Sequence, residues 1–406
     1  MAQNRSSNRL VAGRRTFLAH TTALGASAAL TAQAPMVLAQ SKAPLKIGFL
    51  NSFSKSFAAL GNANLNGMVM YFEQNGMQAA GRKVEIIKED DEINPQVGLQ
   101  KMKKLVESDK CDIVVGVQAS SVVMACVDYL RPSQQFFICC GAGTTALSYV
   151  KIPNLFRVST SGWQNHYPMG DWVVKNVAKE AVLTASDFAG GRDVLHEFKG
   201  GFLKAGGKII KEIYPPLGTT DFSAYLADIR SINPPMTYHF YAGTDAVRFV
   251  KQYAQFGLKG KIKIVSSGFM VESDVLPAQG ADALGIISSL HYTDTLDNPE
   301  NKKFVADYRA KFNEFPSVYS EYGYTCARAI TELLKATDGN TQDKDKLRQA
   351  MLNVKFNAPR GAFSMDANSH NVVNPMYVRE VAEVDGRFAN KVLAVVKDLR
   401  DPAVRE

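Results

Sequence analysis

Leu45-Lys46-Ile47-Gly48-Phe49-Leu50, directly after Pro44, is the stretch from which the fold is read. A short, mainly apolar run of this kind has the length of a strand covered on both faces rather than of a helix. Behind it, Leu65 to Gln74 has the wider apolar spacing of a helix. The pair then repeats. Strands at Val84 to Ile87 and Asp112 to Val117, helices at Gln96 to Glu107 and Ser121 to Leu130, and a strand at Phe136 to Cys140 follow in turn. Strand and helix in strict alternation imply a mostly parallel sheet with helices on both faces.

A second series begins after a loop at Ser159 to Gly162. Helices at Trp163 to Lys179, Gly191 to Ala205, Phe222 to Ser231 and Ala246 to Phe256 alternate with strands at Ala181 to Thr184, Lys208 to Tyr214, Met236 to Tyr241 and Lys261 to Ser266. The last third offers helices at Phe304 to Phe312 and Tyr322 to Lys335, with strands at Met376 to Val384 and Val392 to Val396. These are too few for a third sheet. The expected class is therefore α/β, with two doubly wound, Rossmann-like lobes. The chain is expected to recross near His291 and again near Tyr377, making a multi-crossing hinge. Residues 44–161 plus 292–377 are assigned to lobe 1, and 162–291 plus 378–406 to lobe 2. Two hinged lobes with a cleft between their strand ends suit closure on a small solute.

The formal charge of +8 overstates how basic the body of the protein is. Residues 1–39 carry Arg5, Arg9, Arg14 and Arg15 and no acid, and the rest holds 43 basic against 39 acidic residues. Nothing in that balance argues for nucleic acid. The opening segment has a charged start, then a small and apolar run from Thr16 to Ala32, as a secretory signal does. Within it Gly13-Arg14-Arg15-Thr16-Phe17-Leu18 resembles the twin-arginine motif, which implies export of an already folded protein to the periplasm. Val37-Leu38-Ala39 is the expected cleavage point. His20, Gln33 and Pro35 break the apolar run, a poor membrane span, and no later segment has about eighteen uninterrupted apolar residues.

All five cysteines, Cys111, Cys126, Cys139, Cys140 and Cys326, follow that segment. An odd number cannot all pair within the chain, and folding before export favours buried free thiols. There is no Cys-X-X-Cys and no metal-like Cys/His spacing, so neither metal nor cofactor is assigned. An enzyme is not expected either. Gly141-Ala142-Gly143 lacks the third glycine of a dinucleotide fingerprint, and no GxSxG, HExxH or P-loop occurs.

Several local motifs, in order along the chain, resemble the periplasmic leucine/isoleucine/valine-binding protein family, the type I solute-binding receptors of ABC importers. They are Lys46 to Leu50, Asp90-Asp91 with Asn94-Pro95, Val115-Gly116 leading to Ser120-Ser121, Gly141 to Thr145, Asp187 to Gly191, Asp221-Phe222-Ser223, and Phe256-Gly257-Leu258. The likeness spans the whole chain after the signal. It implies a ligand carboxylate gripped in lobe 1 by Ser120, with Ser121 and Gln118 beside it, and by the loop of Ala142, Gly143 and Thr144. It implies that Phe188 and the loop beginning at Tyr241 close over the ligand from lobe 2. The physical chemistry points the same way, because free amides at helix N-termini suit an anion. Ser120 and Gly141 to Thr145 read equally as a helix cap and a tight turn. Trp163 to Tyr167 and His291-Tyr292, at the lobe junctions, suit hinge packing or ligand contact.

Two departures bear on the ligand. Amino-acid-binding relatives place an acid for the ligand ammonium where this chain has Gly268, with Glu272 and Asp274 out of register. A buried ammonium without a carboxylate is costly. The relatives' first-lobe disulfide is also missing, its positions being Ile93 and Ala119. The expected function is an extracytoplasmic receptor that passes a small organic carboxylate to an ABC permease, an aromatic or other non-amino acid being preferred over a branched-chain amino acid. An amide or urea receptor and a sensor feeding a signalling partner are the alternatives.

Overall fold

A computed structural model describes residues 42–402. The Arg14-Arg15 segment and the Ala39 cleavage point lie outside the described residues. The first sheet comprises β1 (Leu45–Asn51), β2 (Gln78–Ala79), β3 (Arg82–Asp90), β4 (Ile113–Gly116), β5 (Phe137–Cys139) and β6 (Leu155–Arg157), in spatial order β2-β3-β1-β4-β5-β6. All its pairings are parallel except the short β2–β3 hairpin. The strand order reverses between β1 and β4, and the chain leaves both at the same edge. That is where doubly wound sheets bind ligands. Gly116 is required there: at φ +117° a Cβ would lie 2.0 Å from the Leu50 carbonyl oxygen.

The second sheet holds β7 (Glu180–Ala185), β8 (Lys208–Ile213), β9 (Met236–Phe240), β10 (Lys263–Ser267) and β11 (Ile287–Leu290), all parallel. The antiparallel strands β12 (Lys355–Ala358), β13 (Gly361–Met365), β14 (Val372–Val384) and β15 (Arg387–Leu399) complete it, with β14 beside β11. The helices are α1 (Ala58–Gln74), α2 (Pro95–Lys103), α3 (Ser120–Ser133), α4 (Gly162–Asn176), α5 (Ala189–Lys204), α6 (Ser223–Ile232), α7 (Gly243–Gln255), α8 (Leu276–Gln279), α9 (Pro299–Phe312), α10 (Val318–Ala336) and α11 (Lys344–Leu352).

The helix starts are written locally. Asn94 caps α2 through the Gln96 and Val97 amides with Pro95 at the first position, and Ser161 with Gln164 forms a capping box on α4. One apolar cluster runs from the first sheet, through Leu50, Val114 and Val117, to Leu183, Val265 and Leu290 of the second. A second packs α10 and α11 on the other face of the first sheet, and a third packs α6 and α7 on the second. All five cysteines are buried with free thiols. No helix among the described residues is long and apolar enough to cross a membrane.

Candidate ligand-binding site

The loops that leave β1, β4, β5 and β6 converge on those that leave β7, β9 and β10. Between them lies a small cavity. The first sheet contributes Phe57, Leu60, Gln118, Ser120, Gly141 and Gly143; the second contributes Phe188, Gly190, Phe240 and Phe269. Thr160 to Gly162 and the first turn of α4, with Asn165 and His166, form a further wall, and Tyr319 of α10 another.

The walls are mainly aromatic. Phe57 and Phe188 lie 6.0 Å apart edge-on, and Phe188–Phe240, Phe240–Phe269 and Phe269–Tyr319 continue the chain of rings at 6.0, 6.0 and 5.9 Å. Such a box suits the flat face of an aromatic ligand. Its polar end comes from the first sheet. Ala119 precedes α3 and offers no capping side chain, so the amides of Ser120 and Ser121 have no hydrogen-bond partner among the described residues. Those free donors, at the positive end of a fourteen-residue helix, favour an anion. Val117 is left-handed at φ +60°, unusual for a β-branched residue, and its amide donates to the Leu50 carbonyl at 2.7 Å. That backbone turn sets the path into Gln118 and Ser120.

Of the residues named from sequence, Gln118, Ser120, Gly143 and Phe188 line the cavity. Ser121, Ala142, Thr144, Tyr241 and Gly268 are not among its lining residues. Thr144 is spent on structure: its hydroxyl accepts from the Ala146 amide at 3.3 Å and its carbonyl from Arg157 at 2.6 Å. Ala142 is bonded back to the Val117 carbonyl. Tyr241 is buried in the second sheet, its hydroxyl 2.6 Å from Thr184 Oγ1. At Gly268 a Cβ would meet Arg379 Nη2 at 2.3 Å, so the guanidinium fills the space a side chain would need. Arg379 pairs with Glu272 at 2.9 Å, and Glu272 also accepts from the Val318 amide at 2.8 Å. Glu272 is thus committed, and the lining carries no carboxylate.

Phe57, Phe240, Phe269 and Tyr319 were not singled out from sequence. His166 lay within the junction segment read as hinge or ligand contact, and it lines the cavity. Burial holds its imidazole neutral, its pKa pushed down to about 3.

The sequence matches the family model described as "Periplasmic binding protein" over residues 44–387. The chain belongs to the periplasmic binding protein family. With that family it shares its standing as a substrate-binding protein of ABC transporters. A Brucella melitensis relative, "Leu/Ile/Val-binding protein homolog 6", is 29% identical over 389 residues, covering 93% of this chain and 98% of that protein. A Rhodopseudomonas palustris solute-binding protein of an ABC transporter, solved in complex with benzoate, is 32% identical with TM-score 0.82, covering 87% of this chain and 98% of its own. A second solute-binding protein, from R. palustris BisB5, was solved with 3,4-dihydroxybenzoic acid; it is 30% identical with TM-score 0.85, covering 88% and 99%. The α/β class with two doubly wound sheets, read from the sequence, is the fold of this periplasmic binding protein.

Proposed function

We propose that this periplasmic binding protein is the receptor of an importer and captures an aromatic carboxylate. The observation that carries the reading is the cavity itself, lined by aromatic rings and by Ser120 at the uncapped start of α3, with no acid in its wall. In this reading the Ser120 hydroxyl and amide take the carboxylate, and Phe188 and Phe240 cover the ring. The benzoate and dihydroxybenzoate carried by the two R. palustris proteins support the same ligand class. A branched-chain amino acid, suggested by the name of the Brucella relative, would bring an ammonium to a wall with no carboxylate to receive it.

Residues 44–161 plus 292–377 are proposed to close as one lobe against 162–291 plus 378–406, the division running through the long strand β14. An ABC permease is the proposed acceptor of the cargo, and the Arg14-Arg15 segment the proposed export signal. A thermal-shift series tests the ligand class, since a ligand bound only by the folded state raises the midpoint. Benzoate and its derivatives are expected to raise it, and leucine, valine and urea to leave it unmoved. A strong shift with leucine and none with any aromatic acid overturns the reading.

A further inference from the structure

Three polar side chains in the cavity wall have atoms that the protein leaves without partners. His166 Nε2, Asn165 Oδ1 and Gln118 Oε1 are each buried and make no hydrogen bond among the described residues. Buried polar atoms are almost always paired, so three in one small cavity call for a partner from outside the chain. Their side chains are not loosely placed. His166 is 1% exposed. Its Nδ1 shares a 3.0 Å hydrogen bond with Tyr238 Oη of β9. The Asn165 carbonyl accepts from Ser289 Oγ of β11 at 2.7 Å, and its Nδ2 donates to Thr160 Oγ1. The second sheet thus fixes Asn165 and His166, while the free amides that suit the anion belong to α3 of the first.

The chemistry of these atoms sets what they can receive. Asn165 Oδ1 and Gln118 Oε1 are acceptors only and repel a carboxylate; each needs a donor. His166 Nε2 presents either an N–H or a lone pair, according to how Tyr238 and Nδ1 share their proton. A hydroxyl serves both cases, since it donates and accepts. A neutral imidazole brings no positive charge to attract the anion, and with the lone pair on Nε2 it repels one.

We infer that the ligand is a ring-hydroxylated aromatic carboxylic acid, its hydroxyl received by His166 and Asn165, which the second sheet holds, and that these residues set the preference over the unsubstituted acid. The inference rests on the aromatic-carboxylate reading and sharpens it. A ligand lacking the hydroxyl strands the same buried atoms, and such sites discriminate strongly.

Calorimetric titration of the full chain with benzoate, 3-hydroxybenzoate, 4-hydroxybenzoate and 3,4-dihydroxybenzoate tests it. At least one hydroxylated acid is expected to bind about 10-fold or more tighter than benzoate. In His166→Leu the ratio of hydroxylated-acid to benzoate affinity is expected to fall toward one, a change of ratio that a merely structural role for His166 would not produce. Equal affinity of the unsubstituted and hydroxylated acids for the unaltered protein overturns the inference, a bound water then satisfying the wall. So does a ratio that survives in His166→Leu. Binding of leucine or tyrosine with no response to any of the four acids instead overturns the underlying ligand class. The ratio in the unaltered protein decides the matter even if the variant fails to fold.

Discussion

Asp193 Oδ2 accepts the Thr145 amide at 2.8 Å and lies 3.2 Å from the Thr145 hydroxyl, joining α5 of the second sheet to the loop that follows β5 of the first. Thr145 sits two residues beyond Gly143 in the cavity wall, so this bond spans the two sheets beside the cavity. Hydrogen bonds to a charged group contribute about 1.5–3 kcal/mol. If closure depends on it, Asp193→Ala weakens ligand binding about 10- to 100-fold with little change in unfolding midpoint. Titration calorimetry with thermal unfolding on the same variant checks this; unaltered affinity means that the bond does not take part in closure.

Gly190 gives a second handle on the same interface. A Cβ there would lie 2.7 Å from the Phe188 ring and 3.1 Å from Ser120 Oγ, inside the cavity. The residue is in the first turn of α5, where a side chain favours the helix. Gly190→Val is therefore expected to leave the midpoint unchanged within a few degrees while lowering affinity for an aromatic acid about 10-fold or more. Affinity and stability falling together would place the effect in the fold instead of the cavity.

The same contrast explains what was legible in the sequence. Buried parallel strands such as Ile113–Gly116 are short apolar runs, and their alternation with helices is written locally, so the two sheets and their order could be read. Strand β6 could not, because it holds Arg157, whose buried charge is matched by Asp401, 244 residues away in sequence. Helix α11 escaped notice for another reason: it buries only Leu347 and Met351 and has little apolar signature. In the site, Ser120 and Gly143 are legible because they lie in recognisable motifs just after the ends of β4 and β5. Phe57, Phe240, Phe269 and Tyr319 come from four separate elements and become neighbours only when both sheets are assembled. The emptiness at Gly268 was legible, but its cause, the Arg379 guanidinium, was not.

Arg360 and Glu321 form a pair with both side chains fully buried. Arg360 Nε meets Glu321 Oε1 at 2.8 Å, Arg360 Nη1 donates to the Val158 carbonyl at 2.8 Å, and the guanidinium lies 5.1 Å from the Tyr322 ring. Removing one partner leaves an uncompensated buried charge, at a cost of about 3–5 kcal/mol. Glu321→Gln is expected to lose stability of that order in urea unfolding. The double variant E321L/R360L is expected to recover much of it, because apolar side chains leave no stranded charge. No recovery would mean that the remaining bonds of Arg360, to Val158 and across Tyr322, carry the region.

Asp274 makes the stability depend on pH with an unusual sign. Its residue is half-buried, yet both carboxylate oxygens are shielded and find no partner in another residue among those described. Burial first, and the nearby Glu272 second, push its pKa up to about 7. In the unfolded chain the group ionises near pH 4. Between these values the folded protein holds a proton that the unfolded chain has released, so this group's contribution falls as pH rises from about 4 to about 7 and stays unfavourable above. Asparagine at this position has no charge to bury. Asp274→Asn is therefore expected to be more stable than the unaltered protein at pH 8 by about 2–4 kcal/mol, with the difference closing near pH 4. Urea midpoints at pH 4.5 and pH 8 check this. A difference that does not change with pH would mean that Asp274 is ionised in the folded protein throughout, and that a cation or ordered water not among its protein contacts stabilises it.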